Sequence, residues 1–390
     1  MPEAVIVSAA RTAIGTARKG TLADTTPEEM TQTVLTANIE RSGLDPQLVD
    51  DVVWAESLYG GAAVGRWAAV NAGLDQVPGV AINRHCAGSL TAVGIAAAQI
   101  RSGMDRAIVA GGVESSSLSP MFSRRVPGTV DQVESWFPPI HPDAPDSPSR
   151  DMTITVGWNT AQEAGVTRAD MDAWAFRSHQ RAVEAIDAGL LAEEIVSIKA
   201  LQKDGSYVDF SVDEHPRRET TLEKLSSLKV LHPEIEGFSI TAGNASGIND
   251  AAAALTLASD DLVAAEGLTA LGTVVAWTQT ATTPRRTGMA PLEGIPKVLA
   301  KAGLSVGDIA LWEINEAFAS VPVAACKLLG IDEDKVNIHG SGCSLGHPIS
   351  ASGARMLTTL VNDLRRIGGG YGLATMCAAA GMSGAVVIKV

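Results

Sequence analysis

The chain has 390 residues, enough for two large units or for one unit carrying an insertion. Hydrophobic residues make up 46% and charged residues 19%, which fits a globular protein with a sizeable core, and no apolar run reaches membrane-spanning length. With 44 acidic and 30 basic side chains the net charge is −14, which argues against nucleic acid or anionic membranes as partners but not against a small anionic ligand. The N-terminus runs straight into a strand pattern at residues 5–8, without the basic, apolar and cleavage regions of a signal peptide. Four cysteines (Cys86, Cys326, Cys343, Cys377) are too sparse for a secreted disulfide framework, so a cytoplasmic protein is expected.

A helix is predicted over 27–41, with Pro27 near its start and Gly43 past its end. Strand 52–55 follows, then an Ala-rich helix over 90–101 stopped by Gly103, then a buried strand at 107–110 ending in Gly111-Gly112. This βαβαβ order implies a mostly parallel, helix-covered sheet. From about 118 the pattern breaks: six prolines between 127 and 148 mark loop, with helices at 151–164 and 168–188. Residues 118–248 read as an irregular inserted layer, a common place for a ligand lid. The first pattern then returns: helix 251–258, strand 271–276, helix 292–302, strand 309–314, helix 316–329, helix 351–364, and strands at 373–377 and 385–390. The order strand, Gly/Ser-rich turn, long helix, strand occurs in both halves, which suggests a duplicated α/β unit.

Cys86 lies where the long helix begins, in Asn83-Arg84-His85-Cys86-Ala87-Gly88-Ser89. Unpaired backbone N–H groups and the positive helix end favour a thiolate there, although a free cysteine is also a common inert core residue. His347, in Gly346-His347-Pro348, would be held in a rigid turn; imidazole is the usual proton acceptor for a cysteine nucleophile, and a structural histidine is the alternative. Cys377 ends a strand and is followed by Ala378-Ala379-Ala380-Gly381, small residues that expose N–H groups as an oxyanion site requires. Asn315 opens Asn315-Glu316-Ala317-Phe318-Ala319, where a plain helix N-cap is the competing reading. Cys343, His347 and His339 lie close together, but no second Cys/His pair has zinc spacing, so no metal is expected.

In combination these segments closely resemble the thiolase family. The resemblance rests on residues 83–92, on Asn315-Glu316-Ala317-Phe318-Ala319, on Gly346-His347-Pro348 with 351–355, and on 377–381. It also includes residues 5–15 and Thr241-Ala242-Gly243-Asn244-Ala245-Ser246-Gly247, and it runs in order from residue 3 to 390. The resemblance implies a five-layered αβαβα fold of two similar halves: 1–117 with 249–270, an inserted loop domain 118–248, and 271–390. It implies reversible thiolytic cleavage of a 3-ketoacyl-CoA to acetyl-CoA and a shortened acyl-CoA, or the reverse condensation. Cys86 would carry the acyl group, His347 would activate it, and Cys377 would act as acid and base. His347 with a water on Asn315 would form one oxyanion hole, and the N–H groups of Cys86 and Ala379 the other. Ser246 would lie along the pantetheine and Arg217 near the CoA nucleotide, with Arg124/Arg125 and Arg285/Arg286 as further phosphate candidates. Coenzyme A and acyl-CoA would be substrates, with no permanently bound cofactor, and a homodimer or homotetramer is expected.

Three positions depart from the family pattern: Ala379 and Ser350 stand where glycine is usual, and Asp151 precedes Met152 where His or Pro is usual. Because relatives place that last position near the acyl pocket, thiolase chemistry with an altered acyl preference is expected. A decarboxylative ketosynthase would lack the second cysteine, and a non-catalytic acyl-CoA-binding subunit would have lost one of the four chemical residues. Neither loss is seen here.

Overall fold

A computed structural model of the protein describes residues 1–59 and 63–390. Local sequence signals set many element ends. Thr26 and Glu29 form a reciprocal capping box at the start of helix Pro27–Ser42, and Gly43 closes it in the left-handed conformation. Gly103 and Gly303 close their helices in the same way.

Nine strands make one hydrogen-bonded path: Ile309–Ile314, Tyr371–Ala378, Met382–Lys389, Gly272–Ala281, Ala4–Thr12, Asn249–Ser259, Ala107–Ser115, Asp51–Ala55 and Gly79–Ile82. The path crosses from one half to the other only where Val5 and Ile6 face Thr273 and Gly272. Either side of that join the order is the same. In the first half the opening strand neighbours the last, then the fourth, second and third. In the second half Gly272–Ala281 neighbours the last strand, then Tyr371–Ala378 and Ile309–Ile314, beyond which a parallel bridge joins Trp312 to Val336. The duplication expected from the sequence is thus a repeat of topology. The sheet is mixed and not, as expected, mostly parallel: the central strands of both halves pair antiparallel, while the outer pairs of each half, and the short strand Ile195–Val196 beside Ala4–Thr12, are parallel.

Alternation along the strands divides the core. In Ala107–Ser115, Ala107, Val109 and Val113 join the outer core beneath helix Pro27–Ser42, whereas Ile108 and Ala110 join a central core. That central core is filled by helices Gly88–Ser102 and Ser352–Arg366, and a second outer core lies under Ala290–Ala302 and Ser320–Leu329. The result is five layers, αβαβα. The two central helices touch at their N-terminal ends, where a Cβ on Gly353 would lie 2.6 Å from the Leu90 nitrogen, and Ala354 N–H donates to Ser89 Oγ at 2.9 Å. Only glycine permits this approach. Both helices therefore start at one place, which is where the chemical residues gather.

Two further expectations are corrected. Residues 251–258 are not helical but belong to strand Asn249–Ser259, buried throughout. The helix expected from 316 begins at Ser320, so Asn315 is not its N-cap; it follows strand Ile309–Ile314 in irregular backbone and donates its N–H to Thr375 O.

The inserted layer contains a π-helical segment, Thr153–Trp158, continued by helix Asn159–Ala164, then helix Arg168–Asp187 and two short hairpins. It is tied down by Arg11, fully buried, whose guanidinium meets Glu194 and Asp213, each at 2.7 Å. Arg11 Nη1 and Nη2 grip both oxygens of Asp213, a fork geometry that fixes the layer's position over the sheet. Among the described residues no helix is long and apolar enough to cross a membrane.

Candidate active site

The starts of the two central helices, the end of strand Tyr371–Ala378 and the inserted layer enclose a cavity of about 620 Å³. Cys86, His347, Cys377, Ala379, Ser246 and Arg217 all line it, and Asn315 stands just behind His347.

Cys86 is presented by a tight turn. Asn83 Oδ1 accepts the His85 N–H at 2.8 Å, Asn83 Nδ2 donates to Ser57 O at 3.2 Å, and His85 takes a left-handed φ of 45°. The helix begins two residues later, at Gly88. Contrary to expectation the thiol is not acidified: burial, and then the negative field of Glu114, push its pKa up to about 12. The N–H groups of Cys86 and Ala379 aim at the sulfur and pull the other way. A helix end contributes up to ~1 kcal/mol, less than one pKa unit, whereas burial of a charge shifts pKa by as much as ~3–5 units. Burial wins, and Cys86 rests as a neutral thiol.

His347 is also neutral, its pKa lowered to about 4 by burial and by the nearby Arg355 cation. Its N–H donates to Asn249 Oδ1 at 3.0 Å, and its Nδ1 is 2.7 Å from Ser352 Oγ. Ser352 Oγ in turn donates to Pro348 O at 3.2 Å, so it accepts from Nδ1–H and leaves the Nε2 lone pair free. Nε2 lies 3.5 Å from Asn315 Nδ2, a long contact, and Asn315 Oδ1 is buried without a hydrogen-bond partner.

The next residue, Glu316, explains why this irregular loop is rigid. Its buried carboxylate accepts from Trp174 Nε1 (2.8 Å), Ser178 Oγ (2.7 Å), Asn337 Nδ2 (2.9 Å) and the Cys343 N–H (3.0 Å). Four donors from three segments lock the loop to the insertion and to the His347 turn. On the cavity side, Ser246 N–H donates to Ala317 O at 2.9 Å and Ala319 N–H to Asn244 O at 2.9 Å.

Cys377 is the penultimate residue of its strand, and burial followed by the proximity of Cys86 holds its thiol well above the usual range. The turn beyond it is strained: Ala380 has φ 65° and Gly381 φ 77°. Thr287 Oγ1 accepts the Gly381 N–H at 2.9 Å, and Gly381 O accepts the Thr282 N–H at 2.7 Å, so the turn is pinned on both sides.

The rest of the lining divides by polarity. Met152, Val156, Leu231 and Phe318 make an apolar wall, while Lys19, His179, His215 and Arg217 form a polar end. Burial lowers the pKa of His179 and of His215 to about 4, helped by Arg217, so both are neutral beside the cations. Asp151 does not line the cavity; its carboxylate meets His232 Nε2 at 2.8 Å. Arg124, Arg285 and Arg286 are engaged with Glu134, Asp146 and the Glu163/Glu293 pair, and Arg125 bonds Thr129 O; none of the four lines the cavity. Among the described residues, no cluster of three or more His, Cys, Asp or Glu is placed to hold a metal ion.

Residues 4–261 match the family model described as thiolase, N-terminal domain, and residues 268–390 match that of the thiolase C-terminal domain. The chain belongs to the thiolase family. It is 38% identical to a beta-ketoadipyl-CoA thiolase of Acinetobacter baylyi, with both chains fully covered. It is also 38% identical to an acetyl-CoA acetyltransferase of Escherichia coli, covering 100% of this chain and 99% of the other. The crystal structure of the Bacillus anthracis acetyl-CoA acetyltransferase superposes with a TM-score of 0.92 at 36% identity, over 100% of this chain and 99% of that one. The thiolase reaction is thiolytic cleavage or its reverse condensation, and the chain is an acyltransferase of this kind.

Sequence reasoning singled out Cys86, His347, Cys377 and Asn315 and missed the residues that hold these segments: Glu316, Ser352, Asn249, Thr287 and Glu114. The only signals were a Glu inside a matched motif and a Ser five residues after His347, neither of which discloses its partner.

Proposed function

We propose that this thiolase works through an acyl thioester on Cys86, with His347, Cys377 and Asn315 as its partners. The observation that carries this reading is the convergence of both cysteines and His347 on one cavity, with the Cys86 and Ala379 N–H groups aimed at the nucleophilic sulfur. Thiol and imidazole both rest neutral, so Cys86 transfers its proton to the free Nε2 of His347 as it attacks the keto carbon. The N–H groups of Cys86 and Ala379 receive the oxyanion of the tetrahedral intermediate. When the C–C bond breaks, the departing acetyl-CoA enolate takes a proton from Cys377, and its oxygen faces His347 and a water held by Asn315. Free CoA then gives its thiol proton to the Cys377 thiolate and attacks the Cys86 thioester; the C–S bond to Cys86 breaks, the shortened acyl-CoA leaves, and the Cys86 thiolate takes back its proton from His347. In the condensation direction Cys377 abstracts the α-proton instead.

Coenzyme A enters, in this reading, along Ser246 with its nucleotide near Arg217, as substrate and not as a permanent cofactor. The acyl group lies against the Met152 wall, with a preference shifted from plain acetoacetyl-CoA by the Asp151 region. We take 1–117 with 249–270, 118–248 and 271–390 as the structural units, and place the enzyme in the cytoplasm. Exposed Trp67, Val70 and Val80 beside Gly79–Ile82, the edge strand of the sheet among the described residues, support a homodimer or homotetramer. A role in fatty-acid β-oxidation fits the same chemistry.

The test is mass spectrometry after mixing with acetyl-CoA. A hydroxylamine-labile acetyl group on the Cys86 peptide, absent in Cys86→Ala, is expected. Intact CoA binding with no adduct would instead identify a binding protein and overturn the mechanism.

A further inference from the structure

Behind the nucleophile lies a titratable group that the reaction leaves unused. Glu114, on strand Ala107–Ser115, is 1% exposed and does not line the cavity, so it does not touch substrate. Its Oε2 accepts from Ser350 N–H at 3.3 Å and Ser350 Oγ at 3.1 Å, and its Oε1 is buried with no partner. Ser350 Oγ also meets Ser57 Oγ and the Ser57 N–H, each at 2.7 Å. Ser57 O holds Asn83, which shapes the Cys86 turn. A bonded chain thus runs from Glu114 through Ser350 and Ser57 to the nucleophile, and it passes through a residue where this chain departs from the family pattern.

The groups around Glu114 are all acidic or neutral. Cys86 faces it from the helix start, Asp250 from strand Asn249–Ser259, and Tyr59 from the segment after Asp51–Ala55, with Glu56 adding its field at Tyr59. Among the described residues no cation acts on Glu114, and an ionised carboxylate with one orphaned oxygen is costly in such a place. Neutral Glu114 leaves Cys86 free to become a thiolate; ionised Glu114 sets its negative field against that of the thiolate.

We propose that Glu114 is a positioning residue that acts through Cys86, a buried carboxylic acid held neutral so that the thiolate can form and whose ionisation suppresses it. Burial, opposed by the Ser350 hydrogen bonds, sets its pKa at about 8, so the suppression falls just above neutrality. The inference rests on Cys86 being the nucleophile.

The experiment measures the rate of iodoacetamide alkylation of the Cys86 peptide from neutral to strongly alkaline pH, in wild type, Glu114→Gln and Ser350→Ala. Glu114→Gln is expected to match wild type below pH ~7 and to react about tenfold faster at pH ~9–10, the size of a one-unit like-charge shift. Ser350→Ala removes a donor that favours the carboxylate, so its suppression sets in at higher pH than in wild type. Coincident curves for wild type and Glu114→Gln at high pH overturn the proposal. If Glu114→Gln misfolds, shown by alkylation of the buried Cys326, Ser350→Ala decides, and an unmoved onset overturns it. A wild type that alkylates normally but takes no acetyl group from acetyl-CoA fails the acyl-Cys86 reading instead.

Discussion

Ala380 holds a left-handed φ of 65°, which costs a residue with a Cβ about 1–2 kcal/mol, because the methyl crowds the following carbonyl. Its neighbour Ala379 supplies the N–H aimed at Cys86, so the strain sits next to the proposed oxyanion donor. Ala380→Gly removes the clash but gains unfolded-chain freedom worth about 0.4–1 kcal/mol against it. The folding clause wins by a small margin: stability is expected to rise by up to ~1 kcal/mol in denaturant titration, with kcat falling no more than a few-fold, since Thr287 still pins Gly381. A loss of stability would show that the turn is unstrained. Such residues were illegible in the sequence for a physical reason. Cys86, His347, Cys377 and Asn315 stand out because their chemistry is intrinsic, whereas Thr287 and Glu316 act only through partners far along the chain, Gly381 in one case and Trp174 in the other. The acidity expected for Cys86 failed likewise: a helix start is local and readable, but burial is a property of the finished fold.

Elements show the same division between local and distant causes. Helix ends with a cap or a glycine were readable to within a residue or two, as at Pro27–Ser42. Residues 251–258 were not, because an all-apolar run has no period to separate a buried strand from a helix; two flanking strands decide it. The inserted layer carries a further device at the apolar wall of the cavity. Asp151 Oδ1 accepts the Thr153 N–H at 3.0 Å, its Oδ2 meets His232 Nε2 at 2.8 Å, and His232 Nδ1 meets Glu234 Oε1 at 2.7 Å. This staple joins the segment bearing Met152 to the one bearing Leu231, and both side chains line the cavity. Asp151 therefore bears on the cavity by fixing its wall, not by entering it. Asp151→Ala is expected to raise kcat/KM for longer or branched 3-ketoacyl-CoA relative to acetoacetyl-CoA by roughly fivefold, part of what a methylene in a tight pocket is worth. Thiolysis across a chain-length panel checks it. An unchanged ratio removes the staple from specificity, and a sharp wild-type optimum at four carbons removes the altered preference.

At the scale of the whole molecule, the buried titratable groups oppose one another as pH changes. His179, His215 and His347 are held near pKa 4 against an ordinary 6.5, so between those values the unfolded chain binds more protons and stability falls as pH drops. Burial does the reverse to Glu114 and Glu313, which sit at about 8 and about 7 against 4.5. There the folded chain binds more protons, and stability falls as pH rises through that range. The three histidines outweigh the two carboxyls near pH 5.5, and the balance changes sign as the unfolded histidines lose their protons. Stability is therefore expected to peak between about pH 6 and 6.5 and to decline toward pH ~8.5. The net charge of −14 pushes in the same direction, because self-repulsion grows as the remaining protons leave. Urea unfolding at pH values near 5, 6.3 and 8.5 checks this, and stability that keeps rising to 8.5 would mean that Glu114 and Glu313 are ionised in the folded protein. Of these five groups the three histidines line the cavity while Glu114 and Glu313 lie outside its lining, so the rise of stability toward pH ~6 is set at the cavity and the decline above it by carboxyls buried elsewhere in the fold.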